Sequence, residues 1–95
     1  MELRHLIVDT DTGSDDVWGI VEALRAKDIV NVEAITTVCG NLPLELCVKN
    51  ACIAAEQAGG SAVPVYKGAD KPLNGGEVHT AFYAHGEDGL GNQFL

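Results

Sequence analysis

Apolar residues fall along this chain in short continuous runs that alternate with helical stripes. Within Arg4 to Val8, Leu6-Ile7-Val8 is an unbroken run that ends in Asp9. Such a run suits a strand of a parallel sheet. A turn-forming acidic segment, Thr10 to Asp16, comes next. From Val17 the period changes: Val17, Ile20, Val21 and Leu24 recur at helical spacing. Gly13 or Ser14 can cap this helix. Asp15 and Asp16 then occupy its first turn and Arg25 and Lys27 its last, each charge at the end of the helix dipole that favours it.

The pattern then repeats. Val32 to Val38, rich in β-branched residues, predicts a second strand that stops at Cys39-Gly40-Asn41. A second helix is expected with Pro43 near its first turn, a stripe of Leu44, Val48, Ala51, Ala55 and Ala58, and Gly59-Gly60 at its end. A third strand is expected over Ala62 to Tyr66. From Gly68 onward the chain is rich in glycine and polar residues, without clear periodicity; one short helix is expected around Val78 to Tyr83. Strand, helix, strand, helix, strand is the sequence form of an α/β fold, a parallel sheet with flanking helices joined by right-handed crossovers. The result is Rossmann-like but incomplete, because three strands and two helices leave sheet edges and one sheet face uncovered.

Composition narrows the functions such a fold could carry. The net charge of −8 disfavours nucleic acid and anionic membrane as partners, since phosphates would be repelled. No apolar run is long enough to span a bilayer, and Met1 to Asp9 lacks the apolar core of a secretory signal. Cys39, Cys47 and Cys52 are odd in number and form no CxxC, which reads as reduced thiols in a cytoplasmic protein and argues against zinc.

The concentrated chemistry is acidic. Asp9, Asp11, Asp15 and Asp16 lie within eight residues. Like charges this close repel, and desolvating them is costly unless a cation compensates. A solvated turn is the plain reading of such a cluster. Its place beyond a strand's C-terminal end, where α/β sheets bind ligands, favours a cation site. Oxygen-only donors select calcium, magnesium or manganese, and the spacing is not that of an EF-hand. Elsewhere, His85 opens a glycine-rich loop and either contacts substrate or bonds to backbone. His5 and His79 read as structural or exposed, and Trp18 as packing. Gly89-Leu90-Gly91 lacks the lysine of a P-loop.

Several segments, taken in order, resemble one family. Ile7-Val8-Asp9-Thr10-Asp11-Thr12-Gly13-Ser14-Asp15-Asp16 resembles the DxDxGxDD signature of nucleoside hydrolases, which cleave ribonucleosides to ribose and a free base. Ile35 to Asn41 is similar to that family's second strand with its Gly-Asn, and Asn50-Ala51 to a pair in its next helix. Val63 to Leu73 resembles its PVYxGAxxPL stretch, and His85 to Gly91 its HGxxGLG stretch. The resemblance implies that residues 1–95 are the N-terminal portion of a single nucleoside hydrolase domain that binds calcium. It implies Asp11 and Asp16 as calcium ligands, Asp11 also as general base, and Asp15 as acceptor for a ribose hydroxyl. It further implies that Asn41 orients Asp11 or the ribose, that Asp9 supports the loop from behind, and that the protein is a homo-oligomer. Complete members are several times longer and draw further ligands and the leaving-group acid from the rest of their length, so little activity is expected of this chain alone. Two other readings stand beside it. One is a haloacid dehalogenase-type phosphatase with Asp9 as nucleophile and magnesium as cofactor. The other is a small acidic metal- or ribose-binding module without catalysis.

Overall fold

The computed structural model describes residues 2–60 and 62–94, so Met1, Ser61 and Leu95 lie outside the described residues. Strand β1 (Arg4–Thr10) leads to helix α1 (Ser14–Arg25), strand β2 (Val30–Thr37), helix α2 (Leu44–Gln57), strand β3 (Val65–Lys67) and a single turn of helix, α3 (Phe82–His85). The strands form one parallel sheet in the order β1-β2-β3. Two right-handed crossovers that advance in the same direction lay both long helices on one face of it. The expected α/β architecture is therefore present, including its uncovered face.

The core lies between that face and the helices. Ile20 and Leu24 of α1, Val32 and Ile35 of β2, and Ala51, Ala54 and Ala55 of α2 are buried together, with Val8, Val17, Val21, Val63 and Val65 packed around them. Val32 and Ile35 are three residues apart, a spacing that a regular strand would send to opposite faces. A bulge resolves this. Leu6 pairs with Val32 but Ile7 with Ala34, so Glu33 is the extra residue and both apolar side chains face the helices. The other face carries Ile7, Asp9, Thr36 and Tyr66, and Ile7 is 67% exposed.

The helix ends follow from local chemistry. Gly13 is the N-cap of α1, with Asp15 and Asp16 in the first turn. Helix α2 starts after Pro43 and stops at Gly59 (φ +78°), where Gly60 N–H bonds to Ala55 O at 2.8 Å and Gly59 N–H to Glu56 O at 3.1 Å. That pair of bonds is a Schellman stop, which a left-handed glycine makes possible.

Some expectations shift. Strand β1 runs on through Asp9 to Thr10, because Asp9 and Thr10 still pair with Thr36 and Thr37. Strand β3 is Val65–Lys67 rather than Ala62 to Tyr66, since Ala62 and Val63 are spent on a turn closed by Val63 N–H to Gly60 O at 2.9 Å. The short helix is Phe82–His85 rather than Val78 to Tyr83, because Ala81 N–H is held by Asn41 O and the helical turn begins only after that anchor. Trp18 does not pack in the core: it lies off the stripe of Val17, Ile20, Val21 and Leu24 and is 72% exposed. The cysteines are all free. Burial pushes the Cys47 thiol up to about 11, with the Asp11 carboxylate adding to the effect, so it stays an inert thiol at neutral pH.

The allocation of faces has a direct test. Ile35→Ala should cost about 2–5 kcal/mol, whereas Ile7→Ala should stay within about 0.5 kcal/mol in this chain. Denaturant unfolding of the two variants measures both, and equal losses would contradict the bulged register.

Candidate active site

The acidic turn sits where β1 ends and α1 begins, and one side chain organises it. Thr10 is buried at the strand's end. Its hydroxyl donates to Asp16 Oδ2 at 2.9 Å and accepts the N–H of Thr12 at 3.1 Å. A single Oγ therefore ties the strand, the turn and the first turn of the helix together. From the neighbouring strand's end, Asn41 N–H donates to Asp11 Oδ2 at 2.9 Å. Gly40 lets that loop come close, since a Cβ there would overlap the Asp11 carboxylate.

The acids that sequence alone groups together are thereby separated. Asp11 and Asp16 are partly buried and adjacent; Asp15 points to solvent from the next position of the helix. Asp9 goes elsewhere. It lies on the uncovered sheet face and accepts the hydroxyl proton of its cross-strand partner Thr36 at 2.8 Å. Asn41 reaches Asp11 through its backbone N–H rather than its side chain. His85 lies against the start of α1: its Nδ1 accepts the Ser14 N–H at 3.1 Å and lies 3.0 Å from Ser14 Oγ. An acceptor at Nδ1 fixes the neutral tautomer with its proton on Nε2. Gly13 makes the approach possible, for a Cβ there would stand 2.6 Å from His85 Cε1.

The electrostatics follow from this crowding. Burial pushes the Asp16 carboxyl above the usual carboxylate range, and the nearby Asp11 and Asp15 push in the same direction, against the hydrogen bond from Thr10. Asp11 and Asp16 present hard carboxylate oxygens held close in a site that disfavours the negative charge of Asp16. That donor chemistry fits part of a shell for a hard divalent cation. It is not a whole shell, because among the described residues no three His, Cys, Asp or Glu side chains converge to hold a metal.

Behind the turn lies polar structure whose residues, Asn50 and Asp88, the sequence marks only as parts of motifs, without a role. Asn50 is buried on α2, and its Nδ2 donates to Thr12 O at 3.2 Å and to Asp88 O at 2.9 Å. The Asp88 carboxylate accepts N–H groups from Leu90 and Asn92 at 2.8 Å and from Phe94 at 2.6 Å. Burial pushes that carboxyl up, but the three N–H donors together outweigh it and hold it below the usual carboxylate range. The available signal was Asn50 itself, a polar residue beside the apolar stripe of a helix.

A profile of the inosine-uridine preferring nucleoside hydrolases matches residues 6–95. The chain belongs to that family. It is 46% identical over 90 residues to a probable uridine nucleosidase 1 of Oryza sativa subsp. japonica, covering 95% of this chain and 28% of the relative. It is 44% identical over 89 residues to an inosine-uridine preferring nucleoside hydrolase of Leishmania major, covering 94% of this chain and 28% of the relative. Among solved structures, a plant nucleoside hydrolase superposes with a TM-score of 0.90 at 36% identity, covering 99% of this chain and 30% of that one. The chain thus spans under a third of the length of the nucleoside hydrolases it matches. Family membership and the place of Asp9 both count against the phosphatase reading, in which Asp9 and Asp11 would have to share a pocket.

Two measurements probe these electrostatics. The raised Asp16 pKa means that the folded chain holds this proton more tightly than the unfolded one. Asp16 therefore costs stability at neutral pH, and the cost fades as pH falls through the carboxylate range. Asp16→Asn keeps an acceptor for Thr10, so in chelator at pH 7 it should stabilise the chain by about 1 kcal/mol or less after solvent screening; a lower Tm would contradict this. Asp88 has the opposite sign. Its lowered pKa gives stability that is present at neutral pH and lost as pH falls below about 4. Asp88→Asn should flatten that acid limb of Tm against pH, and an unchanged limb would count against the N–H cage.

Proposed function

We propose that this chain contributes the cation- and ribose-binding half of the active site of a ribonucleoside N-ribohydrolase, and that calcium is the cation. The observation that carries the reading is the Asp11–Asp16 pair, clamped by the Thr10 hydroxyl and Asn41 N–H at the C-terminal end of a parallel strand. The names of the relatives point to inosine and uridine as substrates to try first.

Water adds its oxygen to the anomeric carbon of the ribose, the carbon–nitrogen bond to the base breaks, and the base leaves with a proton. The transition state is oxocarbenium-like, as in other glycoside cleavage. A calcium ion held by Asp11 and Asp16, when bound, would acidify a water and grip the vicinal diol of the ribose. Asp11 takes the proton from the attacking water; its Oδ2 is already fixed by Asn41 N–H. Asp15, exposed one residue before Asp16, accepts a hydrogen bond from a ribose hydroxyl. The cluster's negative field stabilises positive charge as it develops on the sugar ring. Asp9 serves the sheet through Thr36 and takes no part. The remaining ligands and the acid that assists base departure are proposed to lie outside these residues. The chain by itself then binds calcium weakly and turns over little. The free cysteines suit a cytoplasmic setting, and homo-oligomeric assembly is carried over from the resemblance.

Calcium titration of the purified chain, followed by calorimetry, should give a Kd of about 10⁻⁴ to 10⁻³ M, the range of weakly held sites. Asp11→Asn and Asp16→Asn should each weaken it at least tenfold, and Asp9→Asn should leave it unchanged. In a full-length hydrolase carrying this segment, Asp11→Asn should lower kcat by about 10² or more. Ribose release from inosine or uridine at a normal enzymatic rate by the chain alone would sink the half-site reading. So would an Asp9→Asn variant as damaged as Asp11→Asn.

A further inference from the structure

The turn that carries Asp11 is bonded to two partners from distant parts of the chain, and these partners are bonded to each other. Thr12 O receives Asn50 Nδ2 from α2, and the same nitrogen reaches Asp88 O in the loop after α3. One residue beyond Gly13, the Ser14 N–H is taken by His85, at the start of that loop. The loop closes on itself through the Asp88 carboxylate, through Gly91 N–H to His85 O at 2.7 Å, and through Glu87 N–H to Asn92 Oδ1 at 2.8 Å. It is thus a closed ring that touches the acidic turn at two points, Thr12 by way of Asn50 and Ser14 by way of His85.

His85 links the loop to Ser14 directly, and Asn50 supplies the second link, from α2, by bonding both Thr12 O and Asp88 O. Asn50 is 1% exposed, and Thr12, whose carbonyl it serves, is fully buried. On its strand side the turn is held by Thr10 Oγ, which accepts the Thr12 N–H, and by Asn41 N–H on Asp11. Toward α2, Thr12 has only its carbonyl bonded, for its hydroxyl has no hydrogen-bond partner among the described residues. The loop is shaped to reach this amide. Gly89 has φ +77°, and a Cβ there would overlap Leu42 and stand 2.7 Å from Asn50 Nδ2. Any side chain at this position pushes the loop away from Asn50.

We propose that Asn50 is a positioning residue: its amide locks the Asp11-bearing turn and the loop of residues 85–92 into one unit, so that Asp11 and His85 are held at a fixed separation before ligand arrives. For its catalytic purpose the inference rests on the cation-site reading above; the lock itself does not.

The test is amide hydrogen exchange by NMR on the chain, paired with calcium titration. Asn50→Leu removes both donors at similar volume, and Cys52→Gly is a control that weakens the same helix from its exposed side. The lock predicts that Asn50→Leu lowers protection at least tenfold at the Ser14 amide, which Asn50 does not touch, and at the Leu90 amide. The Val38 amide, bonded to Thr10 O, should change no more than in the control. Calcium affinity should fall at least tenfold in Asn50→Leu and hold within twofold in Cys52→Gly. Should Asn50→Leu fail to fold, Gly89→Ala breaks the same bridge from the loop side and should give the same loss at Ser14. A Ser14 amide that stays protected in the folded variant would overturn the lock, and undiminished calcium affinity would overturn its catalytic purpose. Absence of calcium binding by the unaltered chain would sink the proposed function instead, and the exchange data would still decide the lock.

Discussion

Two carboxylates, Asp11 and Asp16, sit side by side at the end of a strand, and much of the local structure exists to keep them there. Left alone they would separate, since like charges this close repel and Asp11 adds to the cost of ionising the partly buried Asp16. The Thr10 hydroxyl holds Asp16 from the strand, and the Asn41 N–H holds Asp11 from the adjacent strand's loop. Both anchors depend on the parallel pairing of β1 with β2, which carries Thr10 and Thr37 to the same level and brings Gly40 and Asn41 over the turn. That pairing depends in turn on the bulge at Glu33, which keeps Val32 and Ile35 on the helix-covered face. The chemistry and the packing are therefore one construction.

Charge explains why the arrangement is useful rather than merely strained. On the proposed cation-site reading, stability lost to crowding two carboxylates would be recovered when a cation binds, because the ligand would couple only to the folded form. The Asp88 loop illustrates the contrasting solution. There a carboxylate is satisfied wholly from within, by three backbone N–H groups, and has nothing to offer a ligand. Asn50 lies between the two, bonded to Thr12 beside the partly buried Asp11–Asp16 pair and to Asp88 in the closed loop.

The repeated strand and helix pattern was legible from apolar spacing, because burial against one sheet face leaves a direct periodic trace. So was the acidic turn, since four aspartates around a glycine at a strand's end have few structural uses. What spacing could not separate was Asp9 from Asp11. That depends on how far β1 extends, and the strand runs two residues past the apolar run because Thr36 and Thr37 continue the ladder. Trp18 was misread because an aromatic in an apolar helix usually packs, yet it falls just off the buried stripe and is exposed. The short helix slipped by a few residues because a tertiary bond, Ala81 N–H to Asn41 O, sets where it starts. Asn50 stood out only as a polar residue beside an apolar stripe, because the carbonyls it serves, those of Thr12 and Asp88, lie far away in sequence.

The most direct test of the account is a calcium titration of the isotopically labelled chain followed amide by amide in ¹H–¹⁵N NMR spectra. The paired-carboxylate account predicts saturable shifts centred on Asp11, Asp16 and the Asn41 amide that holds Asp11, with Asp9 and Thr36 unmoved. Shifts centred on Asp9 and Thr36, or spread evenly over every exposed acid, would contradict it.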